Sequence, residues 1–229
     1  MEPVALPEVW VVIAAYIEAK VIGEVIADVK QAGHRVVVVD DGSKDETVAV
    51  ASAAGALVIR HPINLGQGAA LQTGLDFALM HGAQLLVTFD ADGQHRASEI
   101  AGLIAALTTH GADFALGSRF LGQAIGQPLA RRLLLRAATV FTRITTGLAL
   151  TDAHNGLRAM TRRGAQASQL RQNRMAHASE LLHQIADSGL AWVEAPVTIH
   201  YSAYSLAKGQ NLFDAFLIVL DLLARRLHR

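Results

Sequence analysis

The sequence predicts an α/β fold with a mostly parallel central sheet, flanked by helices and followed by a helical C-terminal elaboration. Three observations carry that prediction. Continuous apolar runs recur at residues 9–15 (VWVVIAA), 35–40 (RVVVVD) and 85–90 (LLVTFD), the pattern of strands buried on both faces. Between them stand segments whose apolar residues repeat every three or four positions, as on one face of a helix. Strands and helices alternating in this way specify parallel, right-handed crossovers.

The elements follow in order. After the first strand, Val21, Ile22, Val25, Ile26 and Val29 share a helical face, with Glu24, Asp28 and Lys30 opposite and Gly33 closing the helix. A strand at 35–40, a helix at 44–54, a short strand at 57–60 and a glycine-opened helix at 67–81 come next. A strand at 85–90, a helix at 98–110 and a strand at 114–117 complete this half. From about Gly122 the pattern turns to helices rich in Leu, Ala and Arg, including 129–150 and an amphipathic stretch at 177–188. Residues 191–200 read as one more strand and 211–229 as a closing helix. No repeat, low-complexity tract or Pro/Ser-rich linker divides the chain, so residues 1–229 are expected to form one domain, 1–120 its α/β part and 121–229 its helical part.

Composition excludes several classes. Of 229 residues, 52% are hydrophobic and 17% charged, against about 25% charged on average, which rules out disorder. The formal net charge is zero, so no global field favours nucleic acid. Without cysteine there is no disulfide scaffold, thiolate metal site or cysteine nucleophile. Glu2, Pro3, Pro7 and Glu8 interrupt any apolar leader, and a cytoplasmic location is expected. A membrane span needs about 20 apolar residues, whereas in the final helix Asp214 and Asp221 bracket only 215–220.

Ligands of parallel sheets bind at the carboxyl ends of the strands, and two strands here end in carboxylates. They are Asp40-Asp41-Gly42-Ser43 and Asp90-Ala91-Asp92-Gly93-Gln94-His95. Asp90 and Asp92 with the Gln94 amide oxygen suit Mg²⁺ or Mn²⁺, the remaining positions going to water and substrate phosphates. Asp-Gly turns and helix caps are the plainer reading, but carboxylates crowded at the mouth of an apolar sheet repel and favour a cation. His95 is expected to stand behind the ligands rather than to coordinate. Residues 64–70 (NLGQGAA) open a helix whose small residues permit close approach of a phosphate or ribose. They match neither a P-loop nor G-x-G-x-x-G, and tight helix–sheet packing explains them equally well.

Together these segments resemble a family 2 glycosyltransferase of the GT-A fold, near the dolichol-phosphate mannosyltransferase branch. The resemblance rests on Ala15-Tyr16-Ile17-Glu18, the VVDDGSKDET stretch, NLGQGAALQTG (64–74), DADGQH (90–95), Gly117-Ser118-Arg119-Phe120, TDAHNGLRAM (151–160) and AYSLAKGQ (203–210). It implies that Tyr16 and Glu18 hold the nucleotide base, and Val39 and Asp41 the base and ribose. It places Asp90, Ala91 and Asp92 at the sugar-nucleotide diphosphate, with Asp90, Asp92 and Gln94 holding Mg²⁺ or Mn²⁺. Arg119 would reach the transferred sugar or an anionic acceptor, and Lys208 would close over the diphosphate. Ala14 and Ile17 stand where the family usually has Pro and Asn, and Ser202 where relatives often have Arg.

The resemblance further implies inverting transfer of a hexose from a nucleotide sugar, of GDP-mannose or UDP-glucose type, to a polyprenyl phosphate or glycan. Asp92 and Arg119 are the catalytic candidates. A hydroxyl acceptor would also need a base, for which Asp152 or Glu180 is placed. The basic, apolar stretches at 129–150 and 211–229 fit interfacial helices, core packing or a dimer contact. A peripheral enzyme on the inner face of the plasma membrane, docked on lipid or a small membrane protein, is expected. The alternatives are a sugar-phosphate nucleotidyltransferase, whose Gly-x-Gly-Thr-Arg loop is missing after the first strand, and a non-catalytic nucleotide-sugar-binding scaffold.

Overall fold

The computed structural model describes residues 8–171 and 176–208. The closing helix expected at 211–229 lies outside them. The strands are β1 (Val9–Ala15), β2 (Arg35–Asp40), β3 (Leu57–Arg60), β4 (Leu85–Asp90), β5 (Phe114–Ile125), β6 (Arg158–Thr161) and β7 (Trp192–His200). The helices are α1 (Ile22–Gln31), α2 (Thr47–Ala53), α3 (Gln67–Met80), α4 (Ser98–His110), α5 (Leu129–Thr146), α6 (Arg162–Ala167), α7 (Ala176–Ser188) and α8 (Ala203–Lys208).

The seven strands form one sheet in the order β3-β2-β1-β4-β6-β5-β7. Every pairing is parallel except those of β6, which runs against both β4 and β5. Alternate side chains of β1 feed two cores. Val9, Val11, Ile13 and Ala15 pack with α1 and α4, while Trp10 and Val12 pack with α3 and α7. A strand sandwiched in this way must be apolar at every position, which is why its run is continuous. Each such buried aliphatic side chain contributes about 1.5–3 kcal/mol. On one side α3 lies close to the sheet: a Cβ on Gly74 would stand 2.4 Å from Val12 Cγ1.

Three expectations are corrected. The strand predicted to stop at Gly117 continues to Ile125, because an irregularity between Ser118 and Gln123 lets β5 re-pair with β7. The strand β6 was not expected at all; it has four residues and no alternating pattern. The helix expected at 129–150 ends at Thr146, where Gly147 turns left-handed (φ 73°).

Candidate active site

Parallel β1, β2 and β4 deliver their carboxyl ends to one edge of the sheet. Because β6 runs the other way, its amino end arrives there too. The loops leaving these strands, the segment before β6 and residues of α3, α5 and α7 enclose a cleft of about 460 Å³. Its lining includes Tyr16, Glu18, Asp41, Asp90, Ala91, Asp92, Gln94 and Arg119, and so brings together most of the residues singled out in the sequence.

Asp90 closes β4. His95 Nε2 lies 3.1 Å from its Oδ2, and Gln67 Nε2 donates to its Oδ1 at 3.4 Å. Burial opposes its charge, but the His95 hydrogen bond and the nearby positive charges of His95, Arg158 and His177 prevail and hold Asp90 below the ordinary carboxylate value. Asp92 goes the other way. Burial, and next the charge of Asp90, push it up to about 6. Its carboxylate accepts the backbone N–H of Gln94 at 3.0 Å and the Gln94 Nε2 at 2.7 Å, which fixes the amide and leaves Oε1 without a hydrogen bond among the described residues.

Two opposed carboxylates, one unable to ionise comfortably beside the other, together with a free amide oxygen fit a hard divalent cation. Among the described residues no three His, Cys, Asp or Glu side chains converge on a point. Gly156 packs directly on Asp90: a Cβ there would fall 2.1 Å from Oδ2.

The second acidic pair divides. Asp40 turns inward, fully buried, accepts Ser43 N and faces Arg60 Nε at 3.6 Å. Asp41 reaches the cleft, but its oxygens accept Leu65 N, Gly66 N and the His61 ring at 2.7–2.9 Å. Its carboxylate thus already occupies the electropositive start of α3 that was expected to meet a phosphate or ribose. Val39 is corrected outright. It is fully buried in the core against α3 and does not line the cleft, because the alternation of β2 points it at the helix.

Asp152 is corrected as a candidate base. It is buried behind Arg119, accepts Arg119 Nε at 2.6 Å and the backbone N–H of Arg119 and His154, and does not line the cleft. Arg119 also donates to Tyr201 Oη at 2.6 Å and to the His154 carbonyl. The loop behind them is tied down by Glu194, whose carboxylate accepts Thr151 N, Thr151 Oγ1 and Asp152 N. Glu180 lies outside the cleft lining and accepts Arg171 N.

Tyr16 is exposed at the mouth of the cleft, whereas Glu18 is buried and accepts Tyr204 Oη from α8 at 2.9 Å. Lys208 ends α8, and its side chain lies outside the description. Sequence reasoning missed Arg131, His154, Asn155, Arg158 and His177, all of which line the cleft. The motif at 151–160 contained three of them, but only the reversal of β6 shows that they face Asp90.

A model of the family described as Glycosyl transferase family 2 matches residues 10–167. The chain belongs to glycosyl transferase family 2. As a glycosyltransferase it has long relatives. It is 34% identical over 225 residues to an uncharacterised protein of Methanocaldococcus jannaschii (96% of this chain, 93% of that one). It is 30% identical over 237 residues to a UDP-N-acetylglucosamine–dolichyl-phosphate N-acetylglucosaminyltransferase of Methanococcus voltae (94% of each). A polyprenol monophosphomannose synthase of Mycolicibacterium smegmatis matches at 30% over 199 residues (81% and 75%). Among solved structures, glucosyl-3-phosphoglycerate synthase from Mycobacterium tuberculosis, in complex with Mn²⁺, uridine diphosphate and phosphoglyceric acid, superposes with a TM-score of 0.73 at 21% identity (96% and 78%). That likeness shows the GT-A fold expected from the sequence.

Proposed function

We propose that this family 2 glycosyltransferase moves a hexosyl group, with inversion, from a nucleotide sugar to a polyprenyl phosphate, using Mg²⁺ or Mn²⁺. The observation that carries the reading is the Asp90–Asp92 pair at the end of β4, where burial, and next the charge of Asp90, lift Asp92 to about 6 inside a cleft wide enough for a nucleotide. A divalent cation held by Asp90, Asp92 and Gln94 supplies Lewis-acid stabilisation of charge growing on the leaving diphosphate. Tyr16 and Glu18 receive the base at the far end of the cleft, where Tyr204 draws α8 and its terminal Lys208 toward the donor. Binding energy from the nucleoside positions the reacting sugar. The relatives of M. voltae and M. smegmatis, named for dolichyl-phosphate and polyprenol products, support the acceptor class.

The acceptor needs no base if it is a phosphate, which is already anionic. The cleft agrees: among the described residues its carboxylates are Glu18, Asp41, Asp90 and Asp92, each assigned above to a tether or to the cation. Support for a lipid acceptor also comes from α5. This helix buries Thr139 and Thr142 while Leu129, Leu133, Val140 and Ile144 are exposed, the reverse of a helix that packs on a protein core. Among the described residues no helix is long and apolar enough to cross a membrane, so a helix lying in the interface is the matching form of attachment.

Calorimetric titration of UDP, GDP and their sugar conjugates, with and without Mn²⁺, on wild type and Asp92→Ala tests the donor site. Metal-dependent binding of one nucleotide, lost in the variant, is expected. A folded protein that binds none of them overturns the reading. For the membrane, Leu133→Ser with Ile144→Ser should abolish co-sedimentation with anionic vesicles; unchanged sedimentation refutes the role of α5.

A further inference from the structure

Among the described residues Ile17 is the one non-glycine residue with a positive φ, 57°. That region is strongly disfavoured for a β-branched side chain, whose Cβ crowds the following carbonyl oxygen. Ile17 is 42% exposed and does not line the cleft, yet its two neighbours, Tyr16 and Glu18, both do. Three successive backbone N–H groups of this turn donate to side chains of the segment between β2 and the first turn of α2. Ile17 N reaches Ser43 Oγ at 2.9 Å, Glu18 N reaches Thr47 Oγ1 at 2.9 Å and Ala19 N reaches Asp45 Oδ2 at 3.2 Å. The acceptors are themselves oriented. Thr47 Oγ1 donates to Asp45 Oδ1 at 2.5 Å, which turns its lone pairs toward Glu18 N. Ser43 is anchored through its backbone, its N–H donating to Asp40 Oδ2 and its carbonyl accepting Arg60 Nη2. A backbone conformation of this kind persists only where the surroundings over-determine it, and such conformations cluster at functional sites.

We infer that Ser43, Asp45 and Thr47 are positioning residues for the nucleotide, holding residues 16–19 in a turn that presents Tyr16 and Glu18 to the base before the donor arrives. This rests on the reading that Tyr16 and Glu18 receive the base. None of the three lines the cleft, so they act through the backbone of the turn. That turn carries the chain from β1 into α1, whose entry is tied to it because Val21 N and Ile22 N both donate to the Glu18 carbonyl. A left-handed residue at position 17 makes the bend while both of its neighbours stay on the cleft. The inward course of Asp40 gains a purpose as well: it fixes Ser43, and through Ser43 the strained residue. A site ordered in advance binds without the cost of ordering it on arrival.

Binding of UDP and GDP with Mn²⁺, and of Mn²⁺-pyrophosphate as a probe without a base, tests this. The proteins compared are wild type, Ser43→Ala, Thr47→Val, Thr47→Ser, Tyr16→Ala and the double variant Ile17→Asn with Ser43→Ala. Loss of one neutral hydrogen bond corresponds to about three- to tenfold in affinity. That weakening is expected for the preferred nucleotide in Ser43→Ala and Thr47→Val, with pyrophosphate affinity unchanged. Thr47→Ser keeps the hydroxyl and should keep the affinity. Asparagine adopts the left-handed conformation more readily than isoleucine, so Ile17→Asn should return most of what Ser43→Ala loses. Ser43→Ala carries the test even if Thr47→Val, at a fully buried position, fails to fold. Wild-type nucleotide affinity in the folded variants, an equal loss for pyrophosphate, or no recovery in the double variant overturns the positioning role alone. Tyr16→Ala binding nucleotide as tightly as wild type, or a wild type that binds neither nucleotide, overturns the base-site reading beneath it.

Discussion

Replacing Gly156 with alanine places a methyl group where the Asp90 carboxylate now sits: 2.1 Å from Oδ2, 2.3 Å from Oδ1 and 2.4 Å from Cγ. A retreat of about 0.9 Å brings Oδ2 only to 3.0 Å, a separation below which real Cβ contacts essentially never fall. Asp90 is the part able to move. Its side chain is 30% exposed toward the cleft, whereas Gly156 is held through its carbonyl, which accepts Thr88 Oγ1 at 2.7 Å. Swinging outward breaks the contacts with His95 and Gln67 and shifts one of the two carboxylates proposed to hold the cation. A productive site tolerates about 0.5 Å of error, and a displacement near 1 Å costs about 10²-fold in rate. Because the strain escapes into the cleft, the stability loss belongs at the low end for overpacking, about 1 kcal/mol. Steady-state transfer assays across a Mn²⁺ titration, with thermal melts in parallel, measure both quantities. Expected are a fall of about 10²-fold in kcat/KM, a weakened metal dependence and a melting point lowered by a few degrees. Gly156→Ala with wild-type activity at limiting metal would refute the claim that Asp90 is held by this contact.

Other consequences are equally direct. Asp152→Ala leaves Arg119 buried with only its Tyr201 and His154 partners and should destabilise the protein by about 3 kcal/mol in denaturant unfolding. Asp152→Asn should lose less. His154, pushed down to about 4 chiefly by burial, stays neutral in the folded chain while its unfolded counterpart protonates near 6.5. The unfolded state then binds more protons, so stability falls as pH drops from about 6.5 to about 4, by at most about 3 kcal/mol; His154→Gln should flatten that slope. Because Asp92 must lose a proton near 6 to hold a cation, apparent Mn²⁺ affinity should decline steeply between about pH 7 and pH 5, and isothermal titration at several pH values checks it.

The strands that sequence reasoning placed to the residue, β1 to β4, are those whose two faces are both covered or whose ends are marked by Gly and Asp. Burial on both sides leaves a continuous apolar run, and such a run has few other readings. Strand β6 escaped because four residues beginning with arginine carry no period, and its place comes from pairing with residues more than 40 positions away in the chain. The site divides in the same manner. Asp90, Asp92 and Gln94 lie within five residues of one another, so local spacing revealed them. The partners that decide what Asp41 and Asp152 do lie 20 to 33 residues off, at His61, Leu65, Gly66 and Arg119. A carboxylate in a motif cannot disclose that it is already engaged.

The reversed course of β6 also sets how this cleft can diversify. Of the residues that line the cleft, those from Ala14 to His95 precede α4, and Arg119 to Arg158, His177, Ala178 and Ile199 follow it. The lining thus comes from two stretches of chain that join in mid-sheet. A crossover between related proteins within α4 would exchange one stretch for another, and the seam that must still match is the β4–β6 pairing, where Gly156 packs on Asp90.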